Sequence, residues 1–156
     1  MSATVLSQPN AAVPVRLSSP RLEHANLVLT AIEPTLEFLK AAFPEWRVRG
    51  EGRDEWNGKK RRWLHFGDDD FFITLNDNGA GALRDLDGHE PGLAHLGFVV
   101  ASLDRTLARL ARAGYEPDHR GPAHPHRRNA YFTEHGLEFE FVEYLSDDPA
   151  ERNLYV

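Results

Sequence analysis

The chain of 156 residues contains no cysteine, which excludes disulfide bonds and thiolate chemistry. It also lacks any run of about 18 apolar residues, the length that a membrane-spanning helix needs. Positive charge is scarce, since 18 Lys and Arg residues are set against 24 Asp and Glu residues. A nucleic-acid-binding surface is normally basic, so we expect no nucleic-acid partner. The N-terminus has neither the basic start nor the apolar core of a signal peptide, and we predict a cytoplasmic protein with no membrane partner.

The most informative feature that is present is an internal repeat. Gly92–Val100, with the sequence GLAHLGFVV, resembles Arg21–Leu29, RLEHANLVL, at an offset of 71 positions that aligns His95 with His24. The match continues without a gap through the pairs Ile32 and Leu103, Glu33 and Asp104, Thr35 and Thr106, Leu36 and Leu107, Leu39 and Leu110, and Ala42 and Ala113. Self-similarity at a long fixed interval indicates duplicated supersecondary units.

Each half of the chain predicts the order strand–helix–strand–strand–strand. In the first half the predicted strands are Leu22–Leu29, Trp46–Glu51, Trp63–Phe66 and Phe71–Asn76, with a polar hairpin loop at Gly52–Arg62. In the second half we predict strands at Gly92–Val100, near Tyr115, at Asn129–Thr133 and at Leu137–Tyr144, with a loop at His119–Arg128. Each first strand is followed by a helix with the same leucine spacing.

The predicted fold class is α+β, in which two βαβββ modules form a cup-shaped, eight-stranded mixed sheet with the helices on its outer face. Residues 21–77 form module one, residues 78–91 a linker rich in Gly and Asp, and residues 92–145 module two. Residues 1–20 read as a flexible N-terminal tail, and residues 146–156 as a C-terminal tail.

Strand alternation places candidate metal ligands on the face of the sheet opposite the helices. His24 and His95 occupy equivalent positions of the repeat, and Glu138 and Glu140 point away from the apolar side of the last strand. A carboxylate there needs a partner, and two His with one carboxylate is a known divalent-metal triad. A single His in a strand is usually an ordinary packing residue, but two at repeat-equivalent positions favour the metal site.

The strands LEHANLVL and LAHLGFVV, with the closing GLEFEFVEY, resemble the vicinal oxygen chelate superfamily over about residues 21–145. This group includes glyoxalase I, extradiol dioxygenases, fosfomycin-resistance enzymes and bleomycin-resistance proteins. The resemblance implies paired βαβββ modules around a divalent metal (Fe, Mn, Ni, Co or Zn) with the ligands His24, His95 and Glu140. Glu138 would then lie next to the ligands as a candidate catalytic residue. Modules of this superfamily pair within or between chains, so a homodimer is possible.

One position departs from the glyoxalase I pattern. That enzyme has a fourth carboxylate or amide ligand on the last strand of its first module, where this chain has Thr74. Three ligands bring the chain nearer to the dioxygenases and the fosfomycin enzymes. It has about half the length of typical extradiol dioxygenases, and it lacks the cation-binding loop of the fosfomycin enzymes. Bleomycin-binding relatives usually lack the metal triad altogether.

Substrate recognition is less clearly marked in the sequence. Arg127 and Arg128 would bind a carboxylate or phosphonate if their loop borders the cup, and His126 would act there as an acid or base. An exposed polar loop explains the same residues. Further candidate substrate-binding residues on the strands that line the cup are Asn26, Trp63, Thr74 and Tyr131.

These observations favour a metal-dependent enzyme that acts on a small oxygen-bearing organic substrate, with the metal as Lewis acid. If the metal is iron, the open coordination positions would accept dioxygen, as in a dioxygenase. The alternatives are a non-catalytic small-molecule-binding protein and a lyase or transferase of the fosfomycin-resistance type.

Overall fold

The computed structural model describes residues 20–86 and 91–154. The strands are β1 (His24–Val28), β2 (Arg47–Trp56), β3 (Lys59–Gly67), β4 (Phe72–Asn76), β5 (His95–Val99), β6 (His119–Arg120), β7 (Arg127–Glu134) and β8 (Leu137–Tyr144). The helices are α1 (Glu33–Ala42), α2 (Leu103–Arg112) and α3 (Pro149–Arg152). Nearly all of the predicted N-terminal tail, part of the predicted linker and the last two residues lie outside the described residues. None of the described helices is long and apolar enough to cross a membrane.

The eight strands form two four-stranded sheets with the same topology, one per module. Their strand orders are β1-β4-β3-β2 and β5-β8-β7-β6, with a parallel pair at β1·β4 and at β5·β8 and antiparallel pairs elsewhere. The predicted α+β fold of two βαβββ modules is confirmed. Within the described residues the eight strands are divided between two sheets, and β1 and β5 each form a sheet edge.

Helices α1 and α2 pack on one face of the sheets and join the two modules through one core. Phe38 of α1 is fully buried, and its ring lies 5.0 Å from that of Phe139 in the other module. Arg109 of α2 donates a 2.8 Å hydrogen bond to the backbone carbonyl of Ala42 at the end of α1. No helix of residues 20–86 and 91–154 covers the opposite face of each sheet, and we call it the open face of that module.

The predicted loop at Gly52–Arg62 is wrong, because β2 and β3 continue through it as a long hairpin. The turn is at Asn57 and Gly58, whose φ angles of 51° and 74° suit the two-residue turn that Asn-Gly favours. The ribbon beyond the core is polar on both faces, so it shows no apolar alternation. Cross-strand ion pairs stabilise it instead, including Arg61 Nε to Asp54 Oδ1 at 2.7 Å.

Three smaller differences concern the second half of the chain. The strand expected near Tyr115 is the two-residue β6, which begins at His119. The predicted loop ends earlier than expected, because Arg127 and Arg128 already pair with β8. The C-terminal tail contains α3, whose N-cap Asp148 accepts a hydrogen bond from the backbone N–H of Ala150 at 2.9 Å.

Candidate metal and substrate site

The open face of module two brings one His and two carboxylates together. β5 and β8 run parallel, with His95 level with Glu138 and Gly97 level with Glu140. His95 Nε2 lies 3.2 Å from Glu140 Oε2, and its Nδ1 lies 3.5 Å from Glu138 Oε2. The two carboxylates therefore flank the imidazole on opposite sides, one at each ring nitrogen.

The second oxygen of Glu140 is held by neutral donors from β7. Glu140 Oε1 accepts hydrogen bonds from Asn129 Nδ2 at 2.6 Å and from the Tyr131 hydroxyl at 2.9 Å. Burial, together with the hydrogen bond to Glu140, raises the pKa of Tyr131 to about 12, so the phenol keeps its proton. Two fixed donors on Oε1 orient the carboxylate so that Oε2 faces His95.

This donor set fits a divalent metal ion. Two ligand atoms that are each about 2.1 Å from one ion, with an angle near 100° between them at the ion, are separated by about the distance between His95 Nε2 and Glu140 Oε2, which is 3.2 Å. A Cβ added at Gly97 would lie 3.5 Å from Glu140 Oε2, so a longer side chain there would fill the space beside the two donors. Glu138 at Nδ1 matches the carboxylate–histidine pairing that orients metal-bound imidazoles.

His24, the third predicted ligand, lies in the other sheet. Its ring stacks on Phe72 with a centroid distance of 4.9 Å, and its Nδ1 is 3.0 Å from the carboxylate of Glu23. Over residues 20–86 and 91–154, no group of three or more His, Asp or Glu side chains is arranged to hold a metal ion. A single chain therefore assembles His95 with Glu140 but does not add His24 to them.

The open face of module one carries the other predicted strand residues. Thr74 in β4 pairs with Asn26 in β1 and with His65 in β3. Thr74 thus takes the place in module one that Glu140 takes in module two. Asn26 accepts a 2.6 Å hydrogen bond from Asn76, and Trp63 pairs with Asn76 across β3 and β4.

The structure places Arg128 on the helix side of its sheet, away from the open face. Its guanidinium pairs with the carboxylates of Asp104 and Glu143. Glu143 also accepts a 2.9 Å hydrogen bond from the backbone N–H of Leu103 at the start of α2. Arg128 thus takes part in fixing the N-terminus of a helix in the structure.

Replacing Glu143 with Gln is expected to lower the free energy of unfolding by about 1 kcal/mol at pH 7. The hydrogen bond from Leu103 and the pairing with Arg128 lower the pKa of Glu143 below its ordinary 4.5. The carboxylate therefore stabilises the fold above pH 4.5, and this contribution is lost as the pH falls through the lowered pKa. Urea unfolding across this pH range should show the two proteins converging in acid. Asp104→Asn, at an exposed partner of the same Arg128, should cost less.

His126 and Arg127 lie at the far end of β7 from the Glu140 cluster. His126 precedes the strand, about 16 Å from Tyr131 at the usual rise per residue, and its Nδ1 is 3.5 Å from the carboxylate of Glu151. Arg127 pairs with Tyr144, so its register places it on the open face. It lies two residues before Asn129 along β7, and Tyr131, which pairs with Glu140, lies two residues after Asn129. The structure does not bring His126 beside the predicted metal ligands.

Two residues of the open faces, Asn129 and Arg49, were not predicted from the sequence. Asn129 alternates in phase with Tyr131 on β7, so strand periodicity already placed it beside the predicted cup residue. Arg49 lies at a register shift in β2, between Val48 and Gly50, and no periodic pattern in the sequence marks it.

No protein-family model matches the chain, and no curated protein is significantly similar to it in sequence. Solved structures do match its fold. A glyoxylase/bleomycin resistance protein/dioxygenase domain from Frankia sp. EAN1pec aligns over 88% of this chain and 100% of its own length, with a TM-score of 0.67 and 22% identity. A glyoxalase family protein from Bacillus cereus aligns over 87% and 100%, with a TM-score of 0.67 and 15% identity.

The fosfomycin resistance protein FosX from Listeria monocytogenes, in a complex with Mn(II) and sulfate, also matches. It aligns over 88% of this chain and 98% of its own, with a TM-score of 0.58 and 19% identity. These similarities span both modules and their order along the chain. The protein therefore has the same paired βαβββ fold as these solved structures.

Proposed function

We propose that the protein is a divalent-metal-dependent enzyme that acts on a small oxygen-bearing organic substrate. The observation that carries this proposal is the convergence of His95 Nε2 and Glu140 Oε2, 3.2 Å apart, with Glu138 behind the imidazole. A metal-bound histidine commonly has a carboxylate at its other ring nitrogen, as His95 has Glu138.

The third ligand in this proposal is His24 of a second copy of the chain. Among the described residues, β1 and β5 are edge strands with no strand neighbour on their outer side, and Val28 and Val99 on them are 53% and 70% exposed. Exposed edge strands of this kind commonly pair with another chain. His24 and His95 are the first residues of these strands, so joining β1 of one chain to β5 of another in the same direction would bring the two histidines to one site. The protein would then function as a homodimer.

Within such a site the chain's own residues position the donors. Glu138 favours the proton on Nδ1 of His95 and leaves Nε2 free as a ligand. Tyr131 and Asn129 hold Glu140 so that Oε2 faces the site. A bound divalent ion would act there as a Lewis acid on substrate oxygens, which would occupy its open coordination positions.

Metal analysis of protein purified without an affinity tag tests this proposal. The wild type should hold about one equivalent of divalent metal per chain, and His24→Ala, His95→Ala and Glu140→Ala should each lower its metal affinity by roughly 100-fold or more. Thr74→Val is the matched control, because Thr74 stands in module one where Glu140 stands in module two. It should bind metal like the wild type.

The metal identity would rank the chemistry. Iron would favour a dioxygenase-like reaction, whereas manganese, the metal in the Listeria FosX complex, would favour the lyase or transferase type. A wild type that cannot be loaded with any of these ions would contradict the enzyme proposal. The open faces would then serve a non-catalytic small-molecule-binding protein.

A further inference from the structure

Arg49 lies on the open face of module one, and a local irregularity of β2 places it there. Val48 pairs with Phe66 and Gly50 with His65, so Arg49 is the extra residue of a β-bulge. Bulges commonly redirect a side chain at the rim of a site. Here the guanidinium carbon lies 4.4 Å from the centroid of the Phe72 ring, two strands away in β4.

Glycines on the same face make room for this arrangement. Gly67 pairs with Phe72, and a Cβ added at Gly67 would come within 2.6 Å of the Phe72 Cβ, so only glycine lets this ring keep its position. The indole of Trp63 covers β2 at Gly52, where an added Cβ would come within 2.7 Å of the ring. The arginine and the indole therefore lie across the sheet surface instead of projecting away from it.

Among the described residues, no carboxylate lies within 4.0 Å of the guanidinium of Arg49, so none of them forms an ion pair with it. Asp68, whose pKa is lowered partly by the charge of Arg49, is held by the backbone N–H groups of Asp70 and Phe71. Burial and the charge of Arg49 lower the pKa of His65, which leaves the imidazole neutral at pH 7. The guanidinium of Arg49 thus presents a positive charge at this point of the open face.

The surface beside Arg49 is aromatic. The rings of Trp63 and His65 lie 4.9 Å apart, and His65 is 4.8 Å from Phe72. His24 stacks on the same Phe72 ring, with a centroid distance of 4.9 Å. The Phe72 ring therefore lies close to both His24 and the guanidinium carbon of Arg49, which is 4.4 Å from its centroid. A flat molecule over these rings would reach the guanidinium with one end and His24, the proposed third ligand, with the other.

We propose that Arg49 anchors a substrate subsite for a planar organic carboxylate that lies over His65 and Trp63. A guanidinium 4.4 Å from the Phe72 ring centroid has an N–H edge to offer a carboxylate, and two parallel hydrogen bonds suit that pair. A single positive charge matches a monoanion. This inference rests on the proposed function for the use of the open faces, and it names the class of substrate.

Binding of benzoate to the full chain in EDTA, followed by NMR titration, tests the subsite independently of any metal. The wild type should bind benzoate more tightly than benzamide, which has the same shape without the charge, and more tightly than acetate, which lacks the ring. Arg49→Gln should weaken benzoate binding by roughly tenfold and leave benzamide unchanged. Arg49→Lys, which keeps the charge but not the fork, should recover only part of the loss.

Arg47→Gln is the matched control, since Arg47 is on the same strand and pairs with Asp69. Benzoate binding that is unchanged in Arg49→Gln, or equally weakened in Arg47→Gln, would overturn the proposal. Acetate binding as tight as benzoate binding would overturn the aromatic part of the subsite. The amide spectrum of each variant reports whether it has folded. Loss of the metal site leaves this measurement unaffected, so the two proposals can fail separately.

Discussion

Mixing His24→Ala chains with Glu140→Ala chains is expected to restore metal binding that neither variant shows alone. If the site combines His24 of one chain with His95 and Glu140 of another, each mixed dimer has one complete site and one that lacks both ligands. Random reassortment gives about half mixed dimers, so about a quarter of all sites should recover.

The expectation follows from where the structure places the three side chains. His95 and Glu140 share one sheet and lie 3.2 Å apart, whereas His24 stacks on Phe72 in the other sheet. The core side chains of α1 and α2 pack against the helix-facing sides of the two sheets, so the open faces of one chain do not meet each other. Completion by a second chain needs no rearrangement of this core.

The two variants are mixed in mild denaturant so that subunits exchange, and the denaturant is then removed. The metal content of the mixture is measured at equilibrium. A mixture of His95→Ala with Glu140→Ala is the matched control. Both of these ligands must come from one chain, so this mixture should stay without tightly bound metal. Equal metal content in the two mixtures would contradict a site shared between chains, and light scattering of the wild type should show a dimer.

Sequence reasoning predicted the strands whose apolar side chains alternate. β1, β4, β5 and β8 each place core residues on one face, so their position and orientation follow from the period of two. The long β2–β3 hairpin has ion pairs in place of a buried face, and only Asn57-Gly58 marks it. The bulge at Arg49 depends on how β2 fits against β3, which no local pattern encodes.

The candidate site was predictable in part for the same reason. Alternation places His95, Glu138 and Glu140 on one face, and the structure brings them together as neighbours in one sheet. Whether His24 joins them depends on the packing of one sheet against the other. The sequence predicts a loop at His119–Arg128, but β7 begins at Arg127, and its register places Arg128 level with Glu143 on the helix side.

Replacing Phe38 with Ala is expected to lower the free energy of unfolding by about 3–5 kcal/mol, a large share of the stability of a domain of this size. Phe38 is fully buried, and a small residue there leaves a cavity that the surrounding rings can fill only in part. Its ring partners are Tyr115, Phe132, Phe139 and Phe141, all in module two. Denaturant unfolding followed by fluorescence and by circular dichroism measures the loss.

The position of Phe38 makes this substitution a test of how the modules depend on each other. It belongs to module one but supports the sheet of module two, so both modules should lose stability together in one transition. Hydrogen exchange should show reduced protection in β8 as well as in α1. Trp56→Ala, at an aromatic residue that is 47% exposed, is the control and should cost less than about 1 kcal/mol. A variant in which module one unfolds first, with β8 still protected, would show that the two βαβββ units are stable separately and that the shared core does not couple them.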